Sequence, residues 1–450
     1  MRSIAYPCSA LNQVLQAVGL LVVGAVALLH IADRAPGFVD ERVAEIVTRG
    51  ETSGDFVTFY AAGQLYLRFH DGSPYDLDAL REAELTASPR LRHDAGWLES
   101  GGVKPYKNPP FYLPVLGLFA HFSLAVAFVL STALQAGLVG LLLALTAGLA
   151  ARRAVPLAPA VWIVVSLAYD HFWDGFVESQ IPATVVGLAF AAGIVLLRAE
   201  RPGWAGLVWA LLSVKPQYVP ALLLYLIATR QRHALAGLVG GGLILALIST
   251  ALIGVDGMRL FVQSNIELAT APPELYFASY EWMFNWRALL ERALAGVSAE
   301  LIFHIQLGLI ALTGGLALWA WTAPTRGRAW RRDGGIVVLA LTLILANPHV
   351  HAQDLVLLVP MLAVVVSPLW RQTLPWPIPV VTAGGLLLFY WLLPREYLFN
   401  PSVNSSVLLL AVLFVGAVGA LRGRAGLPWR QPRLGTAATG PGAQTAPSRS

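Results

Sequence analysis

The sequence predicts an all-α polytopic membrane protein: a bundle of about 12 transmembrane helices with a large first extracytoplasmic loop that contains surface helices. Composition is the first reason. The 450 residues are 56% hydrophobic and only 13% charged, with a mean hydropathy of +0.63, too apolar for a soluble domain of this length. Segmentation is the second. Runs such as Leu11 to Ile31, Leu134 to Ala150, Ala234 to Ile253, Leu301 to Trp321 and Val407 to Leu421 each approach the roughly 20 apolar residues that cross a bilayer as a helix. Backbone groups in lipid must pair internally, which makes these runs helices. Charge asymmetry, treated below, is the third.

In chain order the expected crossings are 12 to 31, 111 to 150 with a bend at His121 to Ser123, 155 to 170, 181 to 198, 203 to 214, 217 to 229, 234 to 254, 300 to 321, 334 to 346, 354 to 369, 376 to 394 and 405 to 421. The pieces between 203 and 229 are short. They read equally as one broken helix or a re-entrant pair, which lowers the count to ten or eleven. The first span is expected to be retained rather than cleaved as a signal peptide, since only Arg2 precedes it and no small-residue cleavage site is clear. Residues 1–424 then form one membrane domain, with 32–109 as its first outer loop. Residues 425–450, rich in Gly, Pro, Ala and Thr, are expected to be a disordered cytoplasmic tail.

Orientation follows from the arginines. Arg198 with Arg201, Arg230 with Arg232, the group Arg326, Arg328, Arg331 and Arg332, then Arg371 and Arg422 with Arg424 all fall on one side, the cytoplasmic one. The first outer loop holds 13 of the 26 acidic residues. Both termini are therefore expected inside, in a multi-pass protein of the plasma or inner membrane. The net charge of +5 reflects this topology and contact with anionic membrane lipids, not nucleic acid. A single Cys8 excludes an internal disulfide. No soluble domain and no glycine-rich nucleotide motif is evident, so any chemistry belongs to the outer loops and the membrane-embedded residues.

Five segments carry candidate chemistry. Asp55-Phe56-x-x-Phe59-Tyr60-x-x-Gly63 has helical spacing behind Thr52 and Ser53, and predicts a short helix on the membrane surface. Asp55 in its first turn is either a helix cap or a general base kept ionised by the helix dipole. Pro74-Tyr75-Asp76 and Asn108-Pro109-Pro110 punctuate the loop and return the chain to the bilayer. Lys215-Pro216-Gln217 puts an ammonium beside a helix breaker at membrane depth, which suits a phosphate site at a cavity or else a buried ion pair. Asn347-Pro348-His349-Val350-His351-Ala352-Gln353-Asp354 sets two histidines two apart at an outward junction, a pattern for proton handling or phosphate contact rather than for a metal, because no third ligand is near in sequence. The stretch from Asp170 to Gln180 mixes carboxylates, amides and aromatic rings, as sugar sites do.

Taken in order, these residues resemble glycosyltransferase family 87, polyprenyl-phosphate-sugar-dependent enzymes of the GT-C superfamily. The matching pieces are Gly-Asp-Phe-x-x-x-Tyr-x-x-Gly at 54 to 63, Pro-Tyr-Asp at 74 to 76, Asn-Pro-Pro at 108 to 110, Lys-Pro-Gln at 215 to 217 and Asn-Pro-His-x-x-x-x-Asp at 347 to 354. The resemblance implies a GT-C-type bundle with Asp55 as catalytic base and with Lys215, His349 and His351 near the donor phosphate. Tyr60, Gln180, Gln217 and Asp354 are then expected to bind substrate. Where the family often carries Gly-Gln, this chain has Ser179-Gln180, which leaves Gln180 open. The implied donor is a polyprenyl-phosphate sugar, mannose by preference, and the acceptor a lipid or a glycan of the cell envelope. Neither a cofactor nor a metal is expected. The alternative class is a secondary transporter or lipid flippase, with Lys215 and the histidines as coupling groups.

Overall fold

The computed structural model describes residues 54–68, 73–94, 101–150, 158–167, 178–270, 283–323, 328–369 and 405–423, with a few isolated residues elsewhere. Most of the expected span at 12 to 31, the span at 376 to 394, the tail from 425, and Asp170 and Asp174 lie outside the described residues. Among the described residues the chain is helical throughout. Its one β-bridge pairs Met283 with His351.

Helix α1 (Asp55–Leu67) is buried from Phe56 to Gly63 and again at Leu65. A helix apolar all round belongs inside protein, and α1 accordingly sits within the bundle instead of lying bare on a surface as its sequence suggests. It packs on α3 (Leu113–Ala120), where a Cβ on Gly63 would press into the Leu116 carbonyl. Helix α2 (Leu77–Ala87) is capped by Asp76, whose Oδ1 accepts from the Asp78 and Ala79 amides at 3.0 and 3.2 Å.

The bend expected at His121 to Ser123 is present: α3 stops there and α4 (Leu124–Ala150) begins. Tyr60 Oη donates to the Phe122 carbonyl at 2.7 Å and so pins α1 to this joint. Then come α5 (Ala158–Leu167) and α6 (Ile181–Arg198), whose last residue pairs with Asp333 at 3.0 Å. The expected apolar stretch from 203 to 229 is broken at Lys215. Helix α7 (Pro202–Trp209) tightens into a 3-10 turn over Ala210–Val214, Lys215 is extended, and a second 3-10 turn leads into α8 (Val219–Ala228). Proline removes a donor and forces its predecessor out of the helical region.

The two pieces fold back as a hairpin. Only three residues separate α8 from α9 (Arg232–Thr270), and α7 lies along the start of α9 so closely that a Cβ on Gly206 would collide with the Ala234 carbonyl. Small residues permit such an approach between membrane helices. Each arm spans about 20 Å, too short to cross a bilayer core alone. Lys215 therefore marks the tip of this hairpin.

Helix α9 kinks at Gly254, which has non-helical angles. Helices α10 (Trp286–Ala293), α11 (Ala299–Trp321), α12 (Arg328–Leu345), α13 (Leu358–Leu369) and α14 (Ser405–Gly423) complete the described bundle. Four stretches, Leu124–Ala150, Ile181–Arg198, Arg232–Glu267 and Ala299–Trp321, are long and apolar enough to cross a membrane, and shorter apolar helices accompany them.

Candidate active site

The site forms where the first turn of α1, the loop at 101–109, the turn before α6, the hairpin tip and the turn before α13 converge. Gly54 starts it with φ of 97°, in the region that glycine favours. A Cβ there would run into the Glu178 carboxylate. That carboxylate accepts the Asp55 amide at 2.8 Å and takes the place of a local cap, because no side chain of α1 caps the helix. Asp55 is thus relieved of capping. Its Oδ2 accepts from Gln180 Nε2, and its Oδ1 lies 3.6 Å from Lys104 Nζ. The Asp55 side chain remains 39% exposed and so is accessible from outside the protein.

Gln180 is aimed by the turn that precedes it. Ser179 adopts φ of 51°, a left-handed conformation that costs a non-glycine residue about 1–2 kcal/mol. Its hydroxyl donates to Ser131 Oγ at 2.8 Å, and the Gln180 amide donates to the Gly175 carbonyl at 2.8 Å. The Gly-Gln pattern that this chain lacks is explained by that backbone: glycine fits the angle freely, and serine offsets its cost with a buried hydrogen bond.

Lys215 Nζ meets Asp354 Oδ1 at 2.5 Å, and Asp354, fully buried, also accepts the His351 amide at 3.0 Å. The ion-pair alternative for Lys215 is therefore present in the geometry. His349 and His351 bring their Nε2 atoms to 3.1 Å. Burial pushes His351 down to about 4 and His349 well below the ordinary histidine range, with Lys107 and Lys215 adding to the effect on His349. Both rings are neutral at pH 7, so one Nε2 carries hydrogen and the other accepts. The turn is fixed from below. Asn347 Oδ1 accepts the His349 amide at 2.9 Å, Phe284 donates to the Val350 carbonyl at 2.9 Å, and Asn285 caps α10 while donating to the Asn347 carbonyl at 3.0 Å.

The two halves of the site sense one another. Asp55, Asp354, Lys215 and Lys107 all act electrostatically on His351. Burial lowers the Lys107 ammonium while Asp55 raises it, and Lys215 lowers it further. Burial also opposes the charge on Lys104, but Asp55, Glu178, Glu84 and Asp94 outweigh it and raise that group. Of the expected residues, Asp55, Gln180, Lys215, His349, His351 and Asp354 come together. Tyr60 turns its hydroxyl to Phe122, and Gln217 sits half-buried in the 3-10 turn after Lys215. Lys104, Lys107 and Asn285 were not anticipated. One signal could have found the lysines: the chain has 31 basic residues, only three of them lysine, and all three stand here. Among the described residues no group of three His, Cys, Asp or Glu is arranged to hold a metal ion.

An apolar helical bundle that gathers ionised and neutral polar groups at one end, with an accessible carboxylate among them, defines a membrane protein with a polar site at the edge of its apolar core. The family model of glycosyltransferase family 87 matches residues 106–348, more than half of the chain, and the protein belongs to that family of glycosyltransferases. The matched region takes in Lys107, Gln180, Lys215 and Asn347; Lys104, His349, His351 and Asp354 lie just beyond its ends, and Asp55 lies well before its start. No curated protein and no solved structure matches the chain.

Proposed function

We propose that the protein transfers a sugar, mannose by preference, from a polyprenyl-phosphate donor to a lipid or glycan acceptor on the extracytoplasmic face of the plasma or inner membrane. The observation that carries this reading is the placement of Asp55. Its carboxylate is accessible, is aimed by Gln180 and shares an electrostatic environment with Lys215, His349 and His351.

Asp55 takes the proton of the acceptor hydroxyl as that oxygen bonds to the anomeric carbon. The bond from that carbon to the phosphate oxygen breaks on the opposite face, and polyprenyl phosphate departs with the electron pair. One displacement inverts the anomeric centre. Cationic and N–H groups around the histidine turn stabilise the departing charge. No nucleotide takes part.

The test is transfer from a polyprenyl-phosphate sugar by wild type and Asp55→Asn. Asparagine keeps the shape and still accepts from Gln180, but it takes up no proton. The expected loss is about 10²- to 10⁴-fold in rate, with thermal stability in detergent nearly unchanged because Glu178, not Asp55, caps α1. Wild-type turnover by Asp55→Asn would remove the base from the mechanism.

A further inference from the structure

The charges of the site are not equally available to a ligand. Lys215 is neutralised at 2.5 Å by buried Asp354. Lys104 pairs with Asp55 and lies in the field of Glu178, Glu84 and Asp94. The two histidines are neutral. Lys107 differs: it makes no ion pair and no hydrogen bond with any described residue.

Yet Lys107 is half-buried, and its loop is fixed on both sides. The Lys104 amide donates to Glu84 Oε2 at 3.3 Å, and the buried Tyr106 ring packs against Phe59 and Tyr75. Tyr75 Oη donates to the Asn108 carbonyl at 2.7 Å, and the Phe111 amide donates to Ser249 Oγ at 3.1 Å. An unpaired cation held away from water costs stability. A fixed loop that holds one there, in the electrostatic field of Asp55 and Lys215 and acting in turn on His349, presents a binding group for an anion.

We propose that Lys107 is the cation that receives the donor's phosphate and retains it as polyprenyl phosphate leaves, with Lys215 held in reserve by Asp354. This rests on the function proposed above. When the bond to the anomeric carbon breaks, the phosphate passes from a singly charged diester to a monoester carrying a second negative charge. An ammonium without a standing partner gains more from that added charge than one already neutralised, and only a gain of this kind lowers the barrier.

The experiment measures binding of polyprenyl monophosphate, with the uncharged polyprenol as control, to wild type, Lys107→Gln and Lys107→Arg in detergent, alongside transfer rates and thermal unfolding. Lys107→Gln is expected to lose about 10- to 100-fold in affinity for the phosphate, to bind polyprenol as wild type does, and to unfold at the same or a higher temperature. Lys107→Arg is expected to retain most of the affinity. Unchanged phosphate affinity in Lys107→Gln, in a wild type that binds the phosphate and transfers the sugar, overturns this assignment alone. A wild type that does neither overturns the proposed function as well. Loss of folding in Lys107→Gln would mean that the charge has a protein partner, and would equally overturn the proposal.

Discussion

Removing Lys215 alone strands Asp354, a fully buried carboxylate whose only cationic contact among the described residues is that ammonium at 2.5 Å. The sequence, which shows an ammonium in an apolar stretch and no partner near it, suggests that Lys215→Met relieves the fold of an unfavourable charge. The structure reverses the sign, because the partner lies 139 residues away. Breaking a buried pair from one side costs about 3–5 kcal/mol, whereas replacing both members by apolar groups is often neutral. Lys215→Met is therefore expected to lower the unfolding temperature sharply. Lys215→Met with Asp354→Leu should regain most of the loss, short of the hydrogen bond that the His351 amide forfeits. A thermal-unfolding cycle in detergent measures the coupling. Simple additivity of the two substitutions would show that the pair is not a unit.

At the level of elements, the turn from Asn347 to Asp354 makes the site pH-sensitive in a direction that follows from burial. Both histidines bind protons less well when folded than when unfolded. An ordinary histidine titrates near pH 6.5. As pH falls from about 6.5 to about 4 the unfolded chain takes up protons that the folded chain refuses, so stability declines across that window and is fully retained above it. Unfolding temperatures followed from neutral to acidic pH should show this slope, and His349→Gln with His351→Gln should flatten it. Parallel slopes in the variant and the wild type would argue against neutral histidines. Much of this architecture is legible in sequence where chemistry is local. The break at His121 to Ser123 and the interruption at Lys215-Pro216 follow from turn and proline rules, and the histidine turn follows from its own spacing. What the sequence hides is pairing at a distance. Glu178 capping α1, Gln180 aiming Asp55 and Asp354 holding Lys215 join residues more than 120 positions apart, and no periodicity encodes such contacts. The burial of α1 was hidden for a related reason: its surroundings come from α3 and from the loop that carries Tyr106.

The whole molecule has two chemically distinct ends and an apolar flank. Large apolar side chains stay exposed along α4, α9, α11 and α14, among them Leu134, Leu141, Leu247, Val255, Leu312 and Val412. Single exposed apolar residues are ordinary on soluble proteins, but rows of them along α4, α9 and α11, which are long enough to span a bilayer, and along the shorter α14 are the surface expected toward lipid. Across that flank lie the two ends. Asp55, Glu84 and Glu178 gather at one, while Arg198, Arg201, Arg230 and Arg232 fall at the other, where the hairpin arms begin and finish. Short loops rich in arginine stay in the cytoplasm. Thr86, exposed near the end of α2, should then face outward, and Thr322, exposed between α11 and α12, inward. Cys8 is the sole cysteine, so a Cys8→Ala background allows Thr86→Cys and Thr322→Cys to be labelled one at a time in intact cells. A thiol reagent that does not cross membranes should modify position 86 directly and position 322 only after permeabilisation. The reverse pattern would place Asp55 in the cytoplasm, where nucleotide sugars are at hand, and would remove the reason for a lipid-borne donor.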